Sequence, residues 1–478
     1  MKELLSKSDF IILKLIEYLL ENPFSTFNDI SQNLNISKRT LHTYFNEVNL
    51  KYFPISIDSE KNFATLVIPS NYSLSYIYSV TLQNSTEFNL LSYCFFEREV
   101  SYKHAEENLF ISNATLKRKI NRVNLCLTKY GFKIDSRTLR ITGNEFSIIN
   151  FFTNYIYEAY PINEKGFKKT EYSLIRQAIK AYSKIQRIEI DSYDLDKSTV
   201  IILIYLYRNK FNMKSFDTSE SINLLTSNGI IDKKIKQTFF KKNSKFTIFS
   251  MLKKLQKQTI FSDYSHFISE TKQNSELNNA KNIFNKLINT VSSNFSIEIP
   301  KNKEKILLDL CIVFNLQYGK PFIFYDKHSQ FINQMKLIVP ELIYLLEDEL
   351  IFQFPKIQKY ELNSYIYIFI THWIGLTTVL EEKKQKLKIL LMFDTDVEHV
   401  SMLQHDIYIR LYKNCIIEVK PLYDFNNGIH HSINYDLVLT NIPAIEIKST
   451  KVICFSMYPS KMDWIEINEL YYKRIIKE

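Results

Sequence analysis

Along the first 70 residues the apolar positions change period. Residues 8–20 carry them at helical spacing and stop before Pro23. Thr26 then stands where an N-cap belongs, its hydroxyl placed to accept from the free N–H groups of a short helix over 27–33. Leu34 and Ile36 bracket a turn. Ser37 caps a longer helix from Lys38 to about Tyr52, whose Leu41, Phe45 and Val48 recur at helical spacing and so face a core. The period drops to two over 55–58 and 63–68, which predicts the two strands of a hairpin. Three helices followed by a hairpin make a winged helix-turn-helix.

The same pattern returns 75 residues later. Residues 33–50 (NLNISKRTLHTYFNEVNL) and 108–125 (NLFISNATLKRKINRVNL) align without a gap and share ten of eighteen positions. The identical pairs are Asn33/Asn108, Leu34/Leu109, Ile36/Ile111, Ser37/Ser112, Thr40/Thr115, Leu41/Leu116, Asn46/Asn121, Val48/Val123, Asn49/Asn124 and Leu50/Leu125. Such self-similarity marks a duplicated supersecondary unit. The second copy predicts helices over 85–99 and 102–109, then a long helix opened by Ser112 with Leu116, Ile120 and Val123 buried, then strands over 132–135 and 138–142.

In this architecture the third helix presents its N-terminal half to base edges in the major groove, while the wing reaches phosphates. The groove-facing positions are then Lys38, Arg39, His42 and Thr43 in the first copy, and Asn113, Ala114, Lys117, Arg118 and Arg122 in the second. Lys133 and Arg137 join them from the second wing. The whole chain of 478 residues carries a net charge of only +10. Its distribution is more telling: residues 112–140 hold Lys117, Arg118, Lys119, Arg122, Lys129, Lys133, Arg137 and Arg140 against Asp135 alone, a local +7. Cations at that density release counterions from a polyanion, so the second copy is expected to dominate nucleic-acid binding.

From 168 to 386 helical apolar patches alternate with polar stretches, and two modules divided near 265–278 fit the spacing. Each has one strongly apolar helix, over 198–208 and 305–316, and each ends in an aromatic-flanked histidine: His266 in SDYSHF and His372 in FITHWI. In the tail, aliphatic runs at 387–393, 415–419, 435–440 and 452–457 alternate with helical or turn-like segments, which predicts an α/β unit.

Several classes of function are excluded or disfavoured. The 7 glycines form neither G-x-G-x-x-G nor a P-loop. The 5 cysteines are scattered without a C-x-x-C pair, so buried reduced thiols are expected rather than a disulfide framework or a zinc ribbon. The longest apolar run, 200–207, is far short of the ~18–20 residues that span a bilayer. Lys14 and Glu17 break the first apolar segment and no small-residue cleavage site follows, so a cytoplasmic protein with no membrane partner is expected. His430 and His431 sit near Asp424 and Asp436, but adjacent residues rarely face one ion, so neither a metal nor another cofactor is expected. No Ser/His/Asp or Cys/His motif stands out, and an enzyme is not expected.

The tandem NL-x-IS-x-x-TL units, the helical middle and the short α/β tail together resemble the Mga/AtxA family of Gram-positive virulence regulators over essentially the whole chain. The resemblance implies a mainly α multidomain protein. Winged helix-turn-helix domains would occupy 1–72 and 73–165, helical domains like the phosphotransferase-system regulation domain (PRD) 166–274 and 275–386, and an EIIB-like α/β domain 387–478. It also implies a transcription regulator that binds double-stranded promoter DNA and is tuned by a phosphotransferase-system phosphocarrier protein that phosphorylates His372 or His266. A homodimer is expected, because symmetric oligomers predominate and duplex sites mirror them.

The chain departs from that family pattern in two places. The usual first PRD histidine is replaced in both modules, by Thr199-Val200-Ile201 and by Leu308-Asp309-Leu310. In the tail, the loop 393–398 has neither the phosphorylated cysteine nor a glycine, and its three carboxylates would repel a phosphate. The alternative reading, a phosphoryl-transfer component of the phosphotransferase system, loses ground on the missing cysteine.

Overall fold

A computed structural model of the chain describes residues 1–60, 62–97, 100–160, 166–186, 190–210, 264–315, 319–383, 386–411, 415–420, 435–445 and 450–476. His430, His431 and Asp424 lie outside these residues, as does the His266 side chain. The fold is mainly helical, with an N-terminal helix-turn-helix region and a C-terminal α/β region. It divides into two compact units, one of residues 1–270 with 314–327 and the other of residues 271–313 with 328–478.

In the first unit, α1 (Lys7–Glu21) is capped by Ser6, which accepts from the Asp9 N–H, and buries Ile12, Leu13, Leu15, Ile16 and Leu19. A two-residue strand, β1 (Ser25–Thr26), precedes α2 (Phe27–Leu34) and α3 (Lys38–Lys51). Thr26 and Ser37 cap the two helices by accepting from the Asp29 and Thr40 N–H groups, as the sequence predicts. The first wing is β2 (Ser56–Glu60) with β3 (Phe63–Val67), and β1 adds a third strand to β3. Two residues cannot show a hydrophobic period, so β1 was invisible in the sequence.

The second copy opens with α4 (Leu74–Asn84), which the sequence pattern did not predict, and α5 (Thr86–Phe96). It continues through α6 (Tyr102–Leu109) and α7 (Asn113–Leu127), capped by Ser112 through the Thr115 N–H. Its wing is β4 (Phe132–Ile134) with β5 (Ile141–Gly143). The second strand therefore starts later than the predicted 138. Asp135 accepts from the Arg137 and Thr138 N–H groups, and the Asp135 N–H donates to the Arg140 carbonyl, so 135–140 form the wing tip. These backbone N–H bonds also hold the Asp135 carboxyl below its usual range.

Helices α8 (Glu145–Ala159), α9 (Lys169–Gln186) and α10 (Ser192–Lys210) also belong to this unit, as do residues 319–327. The Ile323, Phe324 and Tyr325 N–H groups donate to the Glu158 carboxylate at 2.6, 2.8 and 3.3 Å, and the Met1 ammonium donates to the Ile323 carbonyl at 3.1 Å. Phe324 meets Phe88 edge-on, 5.3 Å between centroids. Burial raises the Glu158 pKa, against the pull of its three N–H donors.

After α11 (Tyr264–Gln273), the second unit contains α12 (Ser275–Asn294), most of α13 (Lys303–Asn315), α14 (Lys327–Ile338), α15 (Pro340–Gln353), α16 (Lys359–His372) and α17 (Leu376–Lys383). Its α/β tail runs β6 (Leu387–Met392), α18 (Val397–Arg410), β7 (Cys415–Val419), β8 (Leu437–Thr440), β9 (Lys451–Cys454) and α19 (Lys461–Ile476). The sheet is parallel in the order β7-β6-β8-β9. Ile389 and Leu391 pack on one face and Leu390 and Met392 on the other, which is why β6 is an unbroken aliphatic run rather than an alternating one. No described helix is long and apolar enough to cross a membrane.

Candidate nucleic-acid interface

Each repeat builds the same local machine, and most of the shared residues have a task in it. Ser37 and Ser112 cap α3 and α7, and their hydroxyls also meet the Thr40 and Thr115 hydroxyls at 2.8 and 3.0 Å. Leu41, Val48, Leu116 and Val123 are fully buried, while Leu34, Ile36, Leu109 and Ile111 pack partly buried around them. Asn33 donates to the Asp29 carbonyl, and the Asn108 amide meets His104.

Asn49 and Asn124 explain how the wings are held. The Asn124 amide donates to the Ile134 carbonyl at 2.8 Å and its oxygen accepts from the Ile134 N–H at 2.8 Å. Asn49 does the same for Ile57, at 3.2 and 2.6 Å. Ile57 and Ile134 lie in wing strands that pair on one side only among the described residues, so the carboxamide satisfies both backbone groups in place of another strand. The sequence signalled this pair only through its repetition.

The expected contact residues divide by what already engages them. Lys38, Arg39, His42 and Thr43 are exposed on α3; the His42 ring rests edge-on against Phe27 at 5.2 Å, and the Thr43 hydroxyl donates back to the Arg39 carbonyl. On the second copy, Lys117, Arg118, Lys129, Lys133 and Arg137 are exposed and form no ion pair among the described residues. Lys117 lies 5.7 Å from the Tyr102 ring centre, and the Tyr102 hydroxyl donates to the Ser136 carbonyl at 2.7 Å, which ties α6 to the wing tip. Ala114 is exposed, whereas Asn113 is half-buried and donates to Glu106.

Three cations of the local +7 are engaged elsewhere. Lys119 pairs at 2.7 Å with the fully buried Glu87 carboxylate of α5, and Arg122 lies 3.5 Å from the same carboxylate while donating to the Leu5 carbonyl. Arg140 donates to the Glu97 carbonyl at 2.7 Å. These bonds cross 32 to 117 residues of sequence and could not be read from charge spacing. They anchor α7 and the wing rather than leaving all eight cations free.

Comparison with known proteins points the same way. The model of the Mga helix-turn-helix domain matches residues 70–156, from just before α4 into α8. A protein of Streptococcus pneumoniae provisionally named a trans-acting regulator is 22% identical over 467 residues, 94% of each chain. The capsule synthesis positive regulators AcpA and AcpB of Bacillus anthracis are 27% identical over 47% of each chain and 20% identical over 85% of this chain and 86% of AcpB. These matches support the resemblance of this chain to the Mga/AtxA regulators.

Outside the helix-turn-helix copies, His372 stands at the end of α16. Its Nδ1 lies 2.7 Å from Asp309 Oδ2 on α13, and Lys305 lies 3.3 Å from the other carboxylate oxygen. Asn302 donates to the His372 carbonyl at 2.8 Å, and Trp373 behind it is buried. Asp309 is the residue standing where the first PRD histidine was expected. In the tail, Asp396 caps α18 by accepting from the His399 N–H, and His399 meets Thr395 and the Met457 carbonyl. Asp394, Asp396 and Glu398 are all exposed in this loop at the C-terminal end of β6. No cluster of three or more metal-ligating side chains occurs among the described residues.

Proposed function

We propose that this protein is a cytoplasmic transcription regulator that docks two winged helix-turn-helix units per chain on double-stranded promoter DNA. The observation that carries the reading is the duplicated unit, whose second copy turns Lys117, Arg118, Lys133 and Arg137 outward on recognition helix and wing. Lys38, Arg39, His42 and Thr43 take the same role on α3 with less charge. The Mga helix-turn-helix match over the second copy and the regulator names of the relatives support it. Titration of labelled duplexes at several salt concentrations tests it: log Kd should change linearly with log salt. A chain that ignores duplexes in dilute buffer refutes it.

The helical domain around His372 would tune this activity as a PRD-like module, with the α/β tail acting as an EIIB-like domain without its cysteine. Asp309 favours the tautomer with the proton on Nδ1, which leaves the lone pair on Nε2. That lone pair attacks the phosphorus of a phosphohistidine on the phosphocarrier. A new N–P bond forms on His372, the donor's N–P bond breaks with its electron pair returning to the donor nitrogen, and the Asp309 carboxylate stabilises the cationic ring. His266 is a second, weaker candidate. Incubation with labelled phosphoenolpyruvate, enzyme I and the phosphocarrier should leave a label on His372; label that moves on to sugar would favour a phosphoryl-transfer component instead. The chain would act as a homodimer, read by analytical ultracentrifugation.

A further inference from the structure

Internal duplication offers a control that a single domain lacks: a residue kept in both copies is kept for a reason both copies share. Eight of the ten identities in the repeat are caps, core positions or hydrogen-bonding side chains described above. Two pairs are not. Asn46 and Asn121 are exposed, and their side chains hydrogen-bond to nothing among the described residues. Leu50 and Leu125 are 81% and 72% exposed, large apolar surface left in water at the same place twice.

The position of these pairs is informative. At about 100° per residue, Asn46 falls on the side of α3 that carries Arg39 and Thr43, away from buried Leu41, Phe45 and Val48. Asn121 falls likewise with Lys117 and Arg118, away from Leu116, Ile120 and Val123. The groove positions expected from the sequence all differ between the copies: Lys38 against Asn113, Arg39 against Ala114, His42 against Lys117, Thr43 against Arg118. The charges diverged while the amide and the leucine one turn beyond it did not.

Resting on the DNA-binding reading, we propose that base contact extends one turn past the N-terminal half of each recognition helix and that Asn46 and Asn121 there are matched base readers, so that both units recognise the same A·T-containing subsite. A carboxamide carries one acceptor and one donor group, the complement of the adenine N6–H and N7 edge in the major groove. It has no charge for phosphate, so it adds specificity without salt-dependent affinity. The leucine beyond it supplies the apolar surface that suits a thymine methyl. Asn46 and Asn121 are thus specificity-determining residues, and the cations around them set affinity.

The test is selection of the full-length protein on a pool of randomised duplexes. The wild type should enrich one A·T-containing subsite twice at a fixed spacing. Asn46→Ala and Asn121→Ala should each relax one occurrence by about 5- to 150-fold in preference, with unchanged melting temperature and unchanged salt slope. Retention of duplexes with the same enriched motif in both variants overturns this proposal while leaving DNA binding intact. Retention of no duplex by the wild type overturns the DNA-binding reading, and this proposal falls with it.

Discussion

Replacing Asn124 by alanine removes both hydrogen bonds from Ile134, which is buried in the second wing. Each neutral hydrogen bond contributes about 0.5–1.5 kcal/mol net, and a buried backbone group left unsatisfied costs about 1–3 kcal/mol. Partial access of water to the strand edge moderates that sum, so the wing should open more easily by about 3 kcal/mol, a factor of ~100 in its opening equilibrium. Hydrogen exchange read on peptides covering 132–143 reports this opening directly, without requiring two-state unfolding of a multidomain chain. Asn124→Asp should be worse at neutral pH, because a carboxylate oxygen would face the Ile134 carbonyl at the 2.8 Å now spanned by a donor. That carboxyl would titrate above its unfolded value. Its stabilising contribution is therefore present below the ordinary aspartate range and lost as pH rises through the raised folded value, so protection should recover on acidification. Asn49→Ala gives an internal replicate on the first wing. Exchange at 132–143 that changes less than about threefold in Asn124→Ala would refute the account of the carboxamide as a substitute strand.

Other expectations follow from the same contacts. The double change Lys117→Ala and Arg118→Ala should lower the magnitude of the log–log salt slope by about 1.8 if each contacts a phosphate, whereas Arg122→Ala should leave the slope nearly unchanged and lower the melting temperature. Glu87→Ala strands Lys119 against a buried site and should cost about 3 kcal/mol, read as faster exchange across α7. Asp309→Ala should reduce phosphoryl incorporation at His372 about tenfold by releasing the tautomer, with unchanged labelling refuting the role given to that carboxylate. Glu158→Ala should speed exchange at 320–326, where three N–H groups lose their acceptor.

The duplicated helix-and-hairpin unit was legible because its determinants are local. A serine cap, a helical period and a hairpin act within a few residues of one another, so Ser37, Ser112 and the buried Leu41/Leu116 pair declare their roles in the chain itself. The α/β character of the tail was legible for the same reason, through its aliphatic runs, but the parallel order β7-β6-β8-β9 was not. The strand β1 and the late start of β5 were not, since two- and three-residue strands carry no period and the turn built by Asp135 decides where pairing resumes.

Sequence by itself determined that a pattern of helices and a hairpin is repeated, where the long helix of each copy begins and which of its faces is apolar. Tertiary structure alone decided which cations remain available, because Glu87, Leu5 and Glu97 reach Lys119, Arg122 and Arg140 only after the chain folds. It also decided that the backbone of residues 323–325 lies on Glu158, more than 160 residues earlier, and that Asp309 meets the His372 ring from 63 residues away. Charge pairing and hydrogen bonding depend on distance in space, and the order of residues fixes that distance only within a turn or two of the backbone.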